Sequence, residues 1–139
     1  MRPVNELTTP ALAYLGDAVI ELYVRESLVA AGYSTSGALN QKALDYVRAG
    51  AQAEAMQKIL PLLNEEETAA FRRGRNMGHG NVPKSASVAE YRRATGMEVL
   101  FGYLHVTGQT ARMNYLFRLG YGLTAPDETI TSQAGDTPT

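Results

Sequence analysis

A chain of 139 residues, 45% of them apolar, is long enough for one domain with a real core and short for two. No run of about 18 apolar residues offers a membrane span, and Met1-Arg2-Pro3-Val4-Asn5-Glu6 lacks the apolar stretch of a signal peptide. The net charge of −1 is unevenly spread: Asp127, Glu128 and Asp136 lie in the tail, and Arg72 to Arg93 holds six bases against Glu90 alone, the footprint of a polyanion-binding surface.

The absence of cysteine excludes disulfides and thiolate metal sites and fits a reducing cytoplasm. With His79 and His105 as the only histidines, zinc is a poor fit. Any metal is expected to be a hard cation on oxygen ligands.

In chain order, Thr9 and Pro10 are the cap and first turn of a helix expected to reach Ala31, with Gly32 as its terminator. Leu12, Leu15, Val19 and Leu22 give it an apolar face. Glu21 and Arg25, four apart, form a local ion pair. Ser34 to Gly37 link to a second amphipathic helix carrying Leu39, Ala43, Tyr46 and Val47. A third follows from about Gly50 to Leu60, stopped by Pro61. Asn64 with Glu67 reads as a capping box opening a fourth helix to about Arg75. Met77 to Lys84 is a loop by its glycines and proline; with no GKS or GKT after it, it is not a nucleotide-binding loop. Ser87 with Glu90 is a second capping box, starting a long helix to about Val106, with Gly108 beyond it. A last helix runs from Thr110 to about Leu119. No segment alternates like a half-buried strand. The fold class is therefore all-α, one domain over about residues 5–123, with a polar, disordered tail over 124–139.

Two acids stand out. Asp17, beside Gly16, occupies the middle of the first helix among apolar neighbours, where glycine and aspartate are both poor helix formers. Glu98 occupies the middle of the long helix, between Met97 and Val99-Leu100-Phe101, with no base three or four positions ahead. A carboxylate in such surroundings needs water, a partner or a metal. If the two helices pack side by side, Asp17 and Glu98 could bind one cation. Mg²⁺ suits such a site, since it accepts one or two carboxylates and keeps several waters, and Mn²⁺ could replace it. Such a cation beside an arginine-rich stretch points to a phosphodiester substrate. The plainer alternative is that both acids are structural.

These residues resemble a known family. Tyr14-Leu15-Gly16-Asp17-Ala18-Val19 is similar to the signature helix of the ribonuclease III endonuclease domain, and Thr95-Gly96-Met97-Glu98-Val99-Leu100-Phe101-Gly102-Tyr103-Leu104 to its second acidic helix. Arg72-Arg73-Gly74-Arg75-Asn76, Val82-Pro83-Lys84, Tyr91-Arg92 and Ala94-Thr95-Gly96 resemble Mini-ribonuclease III, the short bacterial branch without a double-stranded-RNA-binding domain. The resemblance implies a helical homodimer that cuts double-stranded RNA with Mg²⁺, one strand per subunit. It further implies precursor large-subunit (23S) ribosomal RNA as the substrate. It assigns metal binding and catalysis to Asp17 and Glu98, and makes Arg72, Arg73, Arg75, Asn76 and Lys84 the candidates for RNA contact. Full-length ribonuclease III carries further acids four residues before the Asp17 position and three before the Glu98 position. Here those places hold Ala13 and Thr95, so waters or RNA phosphates must complete the cation's shell. The reduced acid set leaves open a non-catalytic module that holds structured RNA or a ribosomal particle. A helical protein–protein adaptor is the third reading.

Overall fold

The long helix α5, Val88–Val106, is the axis of the molecule, and four other helices pack on it. The computed structural model describes residues 2–78, 82 and 84–123. In chain order its elements are a 3-10 turn at Val4–Glu6, α1 (Thr9–Ala30), α2 (Ser36–Val47), α3 (Ala49–Ile59), a 3-10 turn at Leu60–Leu62, α4 (Glu65–Arg75), α5, and α6 (Thr110–Tyr121). Among the described residues there is no strand. The expected tail at 124–139 and His79 of the loop lie outside the described residues.

Local chemistry starts the helices where the sequence places them. Asn64 accepts from the Glu67 N–H at 2.8 Å while Glu67 Oε1 accepts from the Asn64 N–H at 3.0 Å. Ser87 and Glu90 make the same reciprocal pair, and these boxes satisfy N–H groups that no helical turn reaches. The first cap differs from expectation. Thr8, not Thr9, accepts from the Ala11 N–H at 3.2 Å, so Pro10 takes the second position of the turn rather than the first. Gly32 and Gly108 adopt positive φ, 106° and 71°, beyond the ends of α1 and α5. The third helix gives way to a 3-10 turn at Leu60, around Pro61, and the last continues to Tyr121, two residues past its expected end.

α5 is buried nearly all round: Ala94 to Met97, Val99 to Gly102 and Leu104 are all covered. Glycines let its neighbours come close. A Cβ added to Gly16 of α1 would lie 1.6 Å from the Glu98 carbonyl oxygen, and one on Gly102 of α5 would lie 2.0 Å from that of Leu12. The α1 and α5 backbones are thus in contact. Gly74 and Gly96 do the same for α4 and α5, where an added Cβ on Gly74 would stand 2.7 Å from the Gly96 Cα. On the far side Ile20, Val24, Met56, Ile59, Leu100, Phe101, Leu116 and Phe117 form the main core. Each such side chain contributes about 1.5–3 kcal/mol by leaving water.

The backbone contact rotates α1 away from the apolar face read in the sequence. The covered positions are Leu12, Ala13, Gly16, Ile20, Val24, Ser27 and Leu28. Leu15 and Val19 are only half-buried, and Leu22 is 54% exposed. The reason is that the centre of the buried face is a glycine, which a count of large apolar residues passes over.

Candidate active site

Gly16 fixes where Asp17 goes. Because Gly16 meets the backbone of Glu98, the next residue on α1 stands at the edge of the same seam. The Asp17 and Glu98 side chains meet there, from positions 81 residues apart, and share a hydrogen bond. Asp17 keeps an exposed side, whereas Glu98 is largely covered. Burial, then the negative charge of Asp17, then that shared hydrogen bond push the Glu98 carboxyl up to about 8. Two carboxylates in contact cannot both ionise cheaply, so near neutral pH the pair holds a proton between them.

What surrounds the pair decides its chemistry. Among the described residues neither acid is ion-paired: Arg25 is engaged by Glu21 at 2.6 Å and Arg112 by Glu67 at 2.8 Å. No third carboxylate or histidine of the described residues joins them in a cluster. Ala13 is buried, and the Thr95 hydroxyl donates to the Tyr91 carbonyl at 3.0 Å. Two oxygen ligands, one open side and no competing cation fit a hard divalent ion that keeps much of its water. Such an ion would take the place of the proton.

Tyr121, at the end of α6, was not among the residues that the sequence singled out. Its hydroxyl oxygen is buried and has no hydrogen-bond partner among the described residues. Burial, then the charges of Glu98 and Asp17, hold its ionisation well above that of an ordinary tyrosine. A tyrosine before a helix-ending glycine was the only local sign of it, and nothing local ties it to two acids on other helices.

The basic candidates fall on and after the end of α4. Arg72, Arg73, Arg75 and Asn76 are exposed, as is Lys84. They are not equivalent. Arg73 donates from Nε to Thr9 Oγ1 at 3.1 Å and from Nη2 to the Leu7 carbonyl at 3.4 Å, tying α4 to the start of α1. Arg75 lies 5.7 Å from the Phe71 ring centre and donates to Asn76 Oδ1 at 3.2 Å. Arg72 makes no ion pair among the described residues.

The chain is similar to known proteins. The Ribonuclease III domain model matches residues 10–109. A Mini-ribonuclease 3 of Symbiobacterium thermophilum is 50% identical over 117 residues, covering 82% of this chain and 89% of that one. One of Desulfitobacterium hafniense is 47% identical over 116 residues, covering 84% and 73%. The crystal structure of a Fusobacterium nucleatum protein superposes with a TM-score of 0.77 at 27% identity, covering 85% of this chain and 94% of that one.

Proposed function

The chain belongs to the Mini-ribonuclease III branch of the ribonuclease III family, a family of double-stranded-RNA endoribonucleases, and from that premise we propose that it cuts duplex RNA at the Asp17–Glu98 pair with the help of Mg²⁺ or Mn²⁺. The observation that carries this reading is the contact of two carboxyls with no cationic partner among the described residues, one of them pushed up to about 8. A divalent cation, when bound there, supplies positive charge against the phosphate and a means of activating water. Asp17 and Glu98 are the residues that would hold it, and because they would have to give up their shared proton to do so, binding is expected to strengthen as pH rises. With Ala13 and Thr95 in place of further acids, two carboxylates alone would hold such an ion weakly, and the rest of its shell would have to come from water or from RNA.

The bases at the end of α4 suit the phosphates and 2′-hydroxyls of a duplex, which proteins read mostly by shape. Among the described residues Arg72 and Lys84 make no ion pair, Arg75 keeps what its bond to Asn76 leaves over, and Arg73 what its bonds to Thr9 and Leu7 leave over. The precursor of large-subunit ribosomal RNA is the proposed substrate, met in the cytoplasm. No helix among the described residues is long and apolar enough to cross a membrane.

We further propose a homodimer with one cutting site per subunit. Tyr14, 82% exposed, Ala18, and Leu22, 54% exposed, line one side of α1 a turn apart, beside Asp17. A stripe of this kind is suited to cover by a second copy. Sedimentation of Tyr14→Glu/Leu22→Glu as a monomer, against a dimeric parent, would bear this out.

Incubation of a duplex RNA with the parent, Asp17→Asn and Glu98→Gln in Mg²⁺, with a chelator control, tests the central reading. Cutting by the parent alone, abolished by chelation, is the expected gel. Intact RNA in every lane would favour a module that holds RNA without cutting it.

A further inference from the structure

The acid pair has a neighbour with no task so far. Gly122, with φ 70°, ends α6 immediately after Tyr121, its N–H on the Arg118 carbonyl at 2.9 Å. Gly120 brings that end of α6 close to α3, since an added Cβ would lie 3.2 Å from the Ala55 carbonyl oxygen. The Tyr121 ring is then held between two others. Tyr46 of α2 meets it edge-on at 6.0 Å and Phe117 lies tilted at 5.2 Å. A ring so fixed carries its hydroxyl to one place, and that place is buried with no hydrogen-bond partner among the described residues. Buried phenols ordinarily find an acceptor. The acceptors whose charge the hydroxyl feels are Glu98 and Asp17. A phenol carries an O–H and a carboxylate only accepts, so between them the hydroxyl is the donor.

We propose that Tyr121 is a positioning residue for the acid pair: its hydroxyl donates to the Glu98 carboxylate through one water molecule and keeps that side chain turned toward Asp17. The proposal rests on the reading of the pair as a cation site. A donor held in place orients the carboxylate that it serves. It also removes a rotational freedom that a glutamate on one hydrogen bond would keep. Ligand carboxylates are commonly held by such outer hydrogen bonds, whose loss weakens metal binding by about 10–100-fold. The ring fills the space between Tyr46 and Phe117; the oxygen alone does the positioning.

Tyr121→Phe therefore separates the two contributions. The parent, Tyr121→Phe, Tyr46→Phe and Asp17→Asn are titrated with Mn²⁺ without RNA, counting free ion by electron paramagnetic resonance, and their melting temperatures are measured alongside. Tyr121→Phe is expected to bind Mn²⁺ about tenfold more weakly than the parent, with an unchanged melting temperature, and to lower kcat on duplex RNA at unchanged KM. Tyr46→Phe should bind and melt like the parent. Equal Mn²⁺ affinity in Tyr121→Phe and parent would overturn the proposal, as would a loss of affinity that only follows a fall in melting temperature. If the parent and Asp17→Asn bound Mn²⁺ alike, the cation reading itself would be the failure, and the role of Tyr121 would go with it.

Discussion

Glu67 and Glu98 are two covered glutamates in one small bundle, and they are held in opposite ways. Glu67 is 1% exposed, yet every demand of its charge is met. Asn64 donates to it from the backbone at 3.0 Å, and Arg112 forks onto both oxygens at 2.8 and 2.9 Å. Burial works to raise its pKa, but the hydrogen bonds and charge of Arg112 and the Asn64 N–H override it and leave the carboxyl below its ordinary range. Among the described residues Glu98 meets a second acid, Asp17, and no cation, and is pushed up to about 8. Burial is common to both; the partner differs. A carboxylate whose oxygens are all engaged holds helices together, whereas one left facing another acid is available to something that arrives from solution.

Exchanging each glutamate for glutamine breaks this comparison most sharply. Glu98→Gln should lower duplex-RNA cleavage by three orders of magnitude or more, about 4 kcal/mol of barrier, while keeping the parent's melting temperature or raising it near pH 8. Glu67→Gln should do the reverse. Arg112, 30% exposed and still on the Leu62 carbonyl, would face a neutral amide, at a cost of about 2–3 kcal/mol of stability, with cleavage per folded molecule unchanged. Gel assays at matched folded fractions check both. A Glu67 variant that folds normally but fails to cut would dissolve the distinction.

Gly16→Ala strikes the seam on which Asp17 and Glu98 meet. The new Cβ would stand 1.6 Å from a carbonyl oxygen of α5, which has no rotamer to yield, so the two helices must part. The expected cost is about 3 kcal/mol or more, at the upper end of what overpacking does, and cleavage should fall further than the unfolded fraction explains. Urea unfolding with parallel activity measurements tests this. Near-normal stability would mean that α1 shifts more freely than a backbone contact permits.

The same residues mark how far the sequence could be read. Both capping boxes span three positions, so Asn64 with Glu67 and Ser87 with Glu90 were legible as written. The ion pair of Glu21 and Arg25 was equally local. Asp17 and Glu98 were visible as two acids lacking neighbours of opposite charge, and their meeting required only that α1 and α5 lie side by side. The buried face of α1 was misread through Leu15, Val19 and Leu22 because a backbone contact is signalled by a missing side chain. Arg112 reaches Glu67 across 45 positions, and Tyr121, on the last helix, lies within the field of two acids on other helices. Neither connection leaves a periodic trace.

The two glutamates should also respond to pH with opposite signs. Between the ordinary carboxyl value of 4.5 and about 8, the folded state keeps a proton on the acid pair that the unfolded chain has released. Stability of the metal-free protein therefore falls as pH rises across that window and levels above it. A loss of about 2 kcal/mol between pH 5 and 8 is expected, smaller than a fully enclosed pair would give because Asp17 is open to water. Glu98→Gln should flatten this slope, and so should saturating Mg²⁺, whose affinity climbs with pH up to about 8. Glu67 behaves the other way. Its lowered pKa contributes stability in full above 4.5, and that contribution is lost as pH falls through the folded value. Denaturation midpoints with a chelator, at several pH values, would separate the two. A parent whose midpoint rises from pH 5 to 8 would contradict the raised Glu98.

The contrast between an engaged and an available charge extends, on a smaller scale, to the arginines of α4. Arg73 is spent on Thr9 and the Leu7 carbonyl, so it behaves like Glu67. Arg72, next to it and exposed, has no ion pair among the described residues. Arg73→Ala should therefore cost about 1 kcal/mol of stability through lost hydrogen bonds, with a lesser effect on RNA. Arg72→Ala should leave the melting temperature alone and weaken duplex binding evenly across RNA sequences. It should also reduce the slope of log affinity against log salt by about one, the mark of a single phosphate contact. If Arg72→Ala left that slope unchanged while Arg73→Ala reduced it, the RNA would run along the other face of α4, and the bonds to Thr9 and Leu7 would have to open to receive it.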